Sequence, residues 1–231
     1  MIPLRDDNPT TLAPVVTVAI MALCVLAFLW QLSLGPAIEY AILRFGVTPA
    51  LLFGASPPHP LAVPPAVTVL TSMFLHGGWM HLLGNLLFLW IFGNNVEDAM
   101  GHVRFFLFYL ACGTVAVLAQ ALPAPDSTIP MIGASGAISG VLGAYLLLYP
   151  HARVLVLVPL GVLTQLVHLP ALLVLGLWFG LQLVSSVLAD PDAPGVAFGA
   201  HAGGFVAGLV LVSIFKRRGV RLWQLRRPRR P

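Results

Sequence analysis

Gly133-Ala134-Ser135-Gly136-Ala137-Ile138-Ser139-Gly140-Val141-Leu142-Gly143-Ala144-Tyr145-Leu146-Leu147-Leu148-Tyr149 is an apolar run headed by a serine set between two glycines. Apolar residues continue through it without alternation, so it reads as a helix and not as a strand. Gly133, Gly136, Gly140 and Gly143 recur at intervals of three and four, which lays a bare stripe along one helical face where a second helix can approach closely. Ser135 stands at the head of that helix, where a nucleophile is placed to advantage. A hydroxyl in such apolar surroundings asks for a functional reading.

The rest of the chain explains those surroundings. Hydrophobic residues make up 58% and charged residues only 9%, far from the roughly 25% charged of a soluble domain. Long apolar stretches recur, each bounded by Pro, Gly or a charge. Such a chain must satisfy its backbone within helices or a closed barrel, and the absence of alternation excludes the barrel. The expected fold is an all-α polytopic membrane protein, a bundle of six transmembrane helices at about 14–34, 80–95, 103–122, 134–149, 170–188 and 196–215. The expected organisation is a cytoplasmic segment 1–13, a membrane domain 14–215 and a basic cytoplasmic tail 216–231. The stretch after Pro14 is too long for a signal-peptide core and is read as a retained first span. Segment 35–79 is too apolar for a floppy linker and too broken for a span, and is expected to rest as a structured loop in the interface.

Charge sets the orientation. Segment 153–189 is long enough for two spans but is cut by Pro159, Gly161 and Pro170. With six spans and an inner N-terminus, Arg5, Arg104, Arg153 and the eight basic residues of the tail lie inside and only Arg44 outside, a split of 11 to 1. A seventh span would put the tail outside, against the positive-inside rule. Residues 153–169 are therefore expected to form an interfacial loop on the inner side. The tail is read as a topology anchor, with anionic lipid as a possible partner and nucleic acid not expected. Cys24 and Cys112 lie in apolar spans without Cys-x-x-Cys spacing and read as small hydrophobes.

Four polar residues stand out within the spans: His81 and Asn85, spaced i and i+4 on one face, with Ser135 and His201 on two other helices. Counted from the inner helix ends at about 1.5 Å per residue, they sit at heights of about 18–24 Å, one layer in the outer half of a core about 30 Å thick. Taken singly, an intramembrane His or Asn is interhelical glue, and a Ser bonds back to its own helix. Three helices placing rare polar groups at one level suggest a shared site. Small residues on the sixth segment, Gly199-Ala200-His201-Ala202-Gly203-Gly204 and Ala207-Gly208, suit close contact with the glycine stripe of the fourth. That contact would bring Ser135 within reach of His201, the minimum for nucleophilic catalysis with an imidazole base. The Ser135 N–H at a helix start, with His81 and Asn85, would supply donors to an oxyanion. No carboxylate falls in any span, so a dyad is expected. His-Glu-x-x-His is absent, and neither metal nor cofactor is expected.

Gly133-Ala134-Ser135-Gly136, Ala200-His201-Ala202-Gly203-Gly204, His76-Gly77-Gly78-Trp79-Met80-His81-Leu82-Leu83-Gly84-Asn85 and Asn94-Asn95-Val96-Glu97-Asp98 through Gly101 together resemble the rhomboid intramembrane serine proteases. The likeness covers about residues 70–211. It implies Ser135 as nucleophile, His201 as base and His81 with Asn85 at the oxyanion. It also implies cleavage of single-span membrane proteins near the outer half of the bilayer, beside small residues where the substrate helix unwinds, with segment 35–79 and the fifth helix bordering substrate entry. The expected location is a bacterial cell (inner) membrane, with both termini in the cytoplasm. Two features depart from the family. The aromatic that many members carry four residues after the nucleophile is Ser139 here, and a Trp-Arg pair of the first loop is missing before Leu70-Thr71-Ser72. Ser139 is also a rival nucleophile, though it lacks the helix-start position. His76 is assigned to the loop rather than to chemistry, and His59, His102, His151 and His168 receive no role. The alternatives weighed are a catalytically silent, client-binding member of the same scaffold and a transporter using the histidines as a relay. The second predicts broken helix pairs or acidic residues along a path, and the sequence has neither.

Overall fold

The computed structural model describes residues 1–57, 63–160, 163–188 and 195–224. In chain order they form β1 (Ile2–Asp6), α1 (Val15–Ser33), α2 (Ile38–Phe45), α3 (Pro49–Leu52), α4 (Pro65–Thr71), α5 (Trp79–Met100), α6 (His102–Ala121), α7 (Ser135–Leu148), β2 (Arg153–Leu160), β3 (Leu163–Pro170), α8 (Ala171–Leu188) and α9 (Phe198–Phe215). Helices stand wherever the sequence placed a span. By length and composition α1, α6, α8 and α9 can each cross a membrane, and α5 joins them if taken with α4 and the turn Ser72–Phe74, across a bend of 81°. The apolar helix α7 is shorter. Pro14 precedes α1, Pro49 and Pro65 open α3 and α4, and Gly101 at φ +81 turns the chain from α5 into α6, a conformation that suits glycine.

Two stretches are more regular than the sequence suggested. Segment 35–79 contains α2, α3 and α4. The expected inner loop 153–169 is instead an antiparallel hairpin, β2 against β3, with β1 added along its edge in the order β1-β2-β3. Val154, Val156, Leu155 and Val158 are β-branched or apolar residues that suit a pleated surface, and Val154 and Val156 turn inward to full burial.

The bundle is organised around α7. Gly204 and Gly208 of α9 lie on the carbonyls of Gly136 and Gly140, so closely that any side-chain carbon there would overlap them, and Gly143 lies on the backbone of Phe205. The other side of α7 meets α6, where Gly136 and Gly140 face Ala116 and Cys112. In lipid, close packing between small residues replaces the hydrophobic drive that holds soluble helices together. Both cysteines are buried and free.

The end of the bundle bearing the sheet is held by buried polar groups. Glu97, fully buried at the end of α5, accepts the N–H groups of Val16 and Thr17 at 2.9 and 2.8 Å, the Thr17 hydroxyl at 2.6 Å and a contact from His102 Nδ1 at 2.6 Å. It thereby caps the first turn of α1, whose N–H groups lack intrahelical partners and carry positive partial charge. Asp98 accepts the N–H and hydroxyl of Thr11, while Arg217 reaches its backbone carbonyl. Asp6 of β1 accepts the Tyr145 hydroxyl at 2.6 Å and Asn95 Nδ2 at 2.9 Å. These bonds fasten residues 6–17 to the far ends of α5 and α7.

Gly204→Val should destabilise the bundle by about 3 kcal/mol or more, because backbone lies where the new side chain must go; thermal unfolding in detergent measures it. Burial raises the Asp6 carboxyl from 3.8 to about 6, with Tyr145 opposing the rise. The folded state then holds a proton at pH values where the unfolded chain has lost it, so this contribution to stability is full below about pH 4 and is lost as pH rises through about 6. The thermal midpoint of the wild type minus that of Asp6→Asn should fall across that window and level off above it.

Candidate active site

Three helices, α5, α7 and α9, run in the same direction and begin at the end opposite the sheet. His81 is in the first turn of α5, Ser135 is the first residue of α7 and His201 is in the first turn of α9. The common level inferred from helix lengths thus has a simple structural origin: each side chain follows a break in the chain. Gly133, at φ +127, provides the break before α7. Its N–H donates to Ser72 O at 2.9 Å, and two residues earlier Met131 exchanges backbone bonds of 2.7 and 3.0 Å with Val47. The start of α9 is held by Gln120 of α6, whose Oε1 accepts the Ala200 N–H at 3.2 Å.

Ser135 Oγ and His201 Nε2 lie 2.7 Å apart, across the α7–α9 contact. The other ring nitrogen, Nδ1, donates to Gln182 Oε1 of α8 at 2.7 Å. With Nδ1 protonated, Nε2 accepts the serine hydroxyl proton. Trp178, one helical turn before Gln182, sets its ring 6.0 Å from the His201 ring at 33°. Ser135 and His201 are both partly exposed, so the pair can be reached from outside the bundle.

His81 accepts the Gly77 N–H on Nδ1 at 3.3 Å, which leaves Nε2 as the protonated, donating nitrogen. That nitrogen points at Gly133: a Cβ there would stand 2.6 Å from it and 3.7 Å from Ser135 Oγ. The missing side chain of Gly133 therefore leaves open the space between the His81 donor and the serine. Asn85 is buried one turn below, and its Nδ2 has no hydrogen-bond partner among the described residues. Buried donors are almost always paired, which sets the Asn85 amide apart from the bonded polar groups around it.

The remaining polar residues sort themselves by contact. The Ser139 hydroxyl donates to Ser135 O at 2.6 Å and is fully buried, the back-bonded state of an ordinary helical serine. His76 is tied to α1 through its backbone, which exchanges bonds of 3.0 and 3.1 Å with the Gln31 amide, and its ring meets His81 edge-on at 5.1 Å. His102 pairs with Glu97 at the sheet end, where His151 and His168 also lie, and His59 falls outside the described residues. Sequence reasoning passed over Gln31, Gln120 and Gln182. The signal was available, since an amide inside an apolar helix carries the same desolvation cost as the His and Asn that drew attention.

The sequence model of the Rhomboid domain matches residues 65–218, a span that takes in every residue of this cluster. The chain belongs to the rhomboid family. It is 36% identical over 140 residues, 61% of its own length, to a protein called rhomboid protease GluP in Bacillus subtilis. To rhomboid protein 1, mitochondrial, of Saccharomyces cerevisiae it is 35% identical over 96 residues, 40% of the chain. It is 29% identical over 150 residues, 62% of the chain, to RHOMBOID-like protein 5 of Arabidopsis thaliana. The matches span 24%, 28% and 42% of those three proteins.

Gly133→Ala forces a side chain into a left-handed backbone and against His81. It should cost about 1–3 kcal/mol of stability, read by thermal unfolding in detergent, whereas Gly84→Ala, where a Cβ meets nothing within 4 Å, should cost no such amount.

Proposed function

We propose that this protein is an intramembrane serine endopeptidase that cleaves single-span membrane proteins with a Ser135–His201 pair. The observation that carries the reading is the 2.7 Å contact between Ser135 Oγ and His201 Nε2, made by two different helices. As the serine oxygen attacks a substrate carbonyl, its proton passes to His201 Nε2. The tetrahedral oxyanion that forms is met by the Ser135 N–H, His81 Nε2–H and Asn85 Nδ2. Collapse expels the amine, which takes the proton back from the imidazolium, and water repeats the sequence on the acyl-enzyme. The first turns of α5, α7 and α9 all face this point, so three helix dipoles favour negative charge where it develops.

The substrate must present an extended segment, because a helix buries its carbonyls in its own hydrogen bonds. Cleavage beside small, helix-weakening residues follows. We place the site in the outer half of the bilayer and the sheet, N-terminus and basic tail on the cytoplasmic side of a bacterial cell membrane. The 11 to 1 charge split supports that orientation. At the sheet end two adjoining clefts share Arg104, Arg217 and Arg218. This arrangement suits the headgroups of anionic lipid.

Ser135→Ala and His201→Ala should each abolish cleavage of a single-span reporter in liposomes, a loss of about 1,000-fold or more, and remove labelling by a fluorophosphonate. Ser139→Ala should keep both. Labelling that survives without Ser135 and disappears without Ser139 would overturn the assignment. Client proteins that co-purify without being cut by the wild type would favour a silent, client-binding role.

A further inference from the structure

The proposed mechanism needs His201 in one of its two neutral tautomers, and no carboxylate among the described residues bonds the ring to select it. Among the described residues two side chains bond it: Ser135 at Nε2 and Gln182 at Nδ1. An imidazole with an acceptor at Nδ1 is held as the Nδ1–H tautomer, the one whose Nε2 can take a proton from serine. We propose that Gln182 is a positioning residue, which fixes the tautomer and the plane of the His201 base from the neighbouring helix α8. The inference rests on the proposed serine chemistry and adds a third member to it.

Three further observations support it. First, Trp178 lies on the same face of α8, one turn away, and its ring lies 6.0 Å from the imidazole, so one helix both braces the ring and bonds its nitrogen. Second, the position on α7 one turn below Ser135 is Ser139, whose hydroxyl is engaged with its own helix. The aromatic contacts on the imidazole come instead from Trp178 of α8 and, edge-on at 6.4 Å, from Phe198 of α9. Third, α8 buries only Ala171, Val174 and Leu175, all in its first two turns, while Leu181, Leu183, Val184, Val187 and Leu188 around and beyond Gln182 are exposed. Beyond its buried first two turns α8 is seated on α9 by Phe179, stacked on Phe205 at 4.4 Å, by Trp178 beside the same ring and by the Gln182–His201 bond. The amide bond to His201 thus ties the orientation of the base to the packing of α8 against α9.

The test compares Gln182→Met, which keeps the length and removes the acceptor, with Gln182→Glu, which keeps the acceptor. In reporter cleavage, Gln182→Met should lower kcat by about tenfold or more with KM within about twofold. Gln182→Glu should recover most of that loss and move the acidic limb of the pH–rate profile upward by about one unit, since a carboxylate at Nδ1 favours the imidazolium. A second readout does not depend on cleavage. In full-length protein labelled with ¹⁵N-histidine, the His201 signal, assigned by its disappearance in His201→Ala, should report a protonated Nδ1 in the wild type and a tautomer mixture in Gln182→Met. An unchanged kcat and unchanged tautomer in Gln182→Met overturn the proposal. Equal losses in both variants, with raised KM and lowered thermal midpoint, also overturn it by showing that Gln182 only packs α8. If the wild type cuts no reporter, the protease reading fails, and the nitrogen spectra still decide the role of Gln182.

Discussion

The contact between α7 and α9 sets the geometry of everything else. It is made backbone to backbone, with Gly204 and Gly208 lying on the carbonyls of Gly136 and Gly140 and Gly143 against Phe205. Lipid offers no hydrophobic reward for bringing two apolar helices together, so the attraction must come from dispersion between surfaces that fit, and small residues allow the fit. The same closeness carries a chemical consequence. Side chains as short as serine can touch a residue on another helix only when the two axes are unusually near. The contact that holds the bundle is also the contact that lets Ser135 meet His201.

A second constraint acts at the opposite end. Glu97, Asp98 and Asn95 extend the C-terminal end of α5 into a polar platform that caps α1 and receives residues 2–11. Buried carboxylates are costly unless their oxygens are satisfied, and here backbone N–H groups and hydroxyls satisfy them. The result is a rigid floor of sheet and capped helices at one end and three convergent helix starts at the other. α5, α7 and α9 run between the two.

The helix α8 stands apart from this frame. Its fully buried residues lie in its first two turns, Phe179 stacks on Phe205 of α9 at 4.4 Å, and Trp178 and Gln182 reach the His201 ring. Of the four helices long and apolar enough to cross a membrane, α8 has the smallest buried share, and it is the one that bonds the His201 ring.

The sequence by itself determined the helices and drew attention to the polar groups that meet at their starts. Apolar runs punctuated by Pro and Gly leave the backbone few other solutions in lipid, and the glycine spacing of 133–143 and 199–208 announces a close helix pair. Polar residues at one depth, Ser135, His201, His81 and Asn85, stood out because each is expensive where it lies. What the sequence left open depended on partners far apart in the chain. Residues 153–169 became a hairpin because β1, some 150 residues earlier, supplies an edge partner and because the core beneath buries Val154 and Val156. Neither condition leaves a trace in local periodicity. Gln182 as the partner of His201 was likewise invisible, since an amide on an apolar helix signals cost but not direction. Only the tertiary packing of α8 against α9 decides which nitrogen it faces, and a hydrogen bond depends on direction and on distances of tenths of an ångström that no linear spacing encodes.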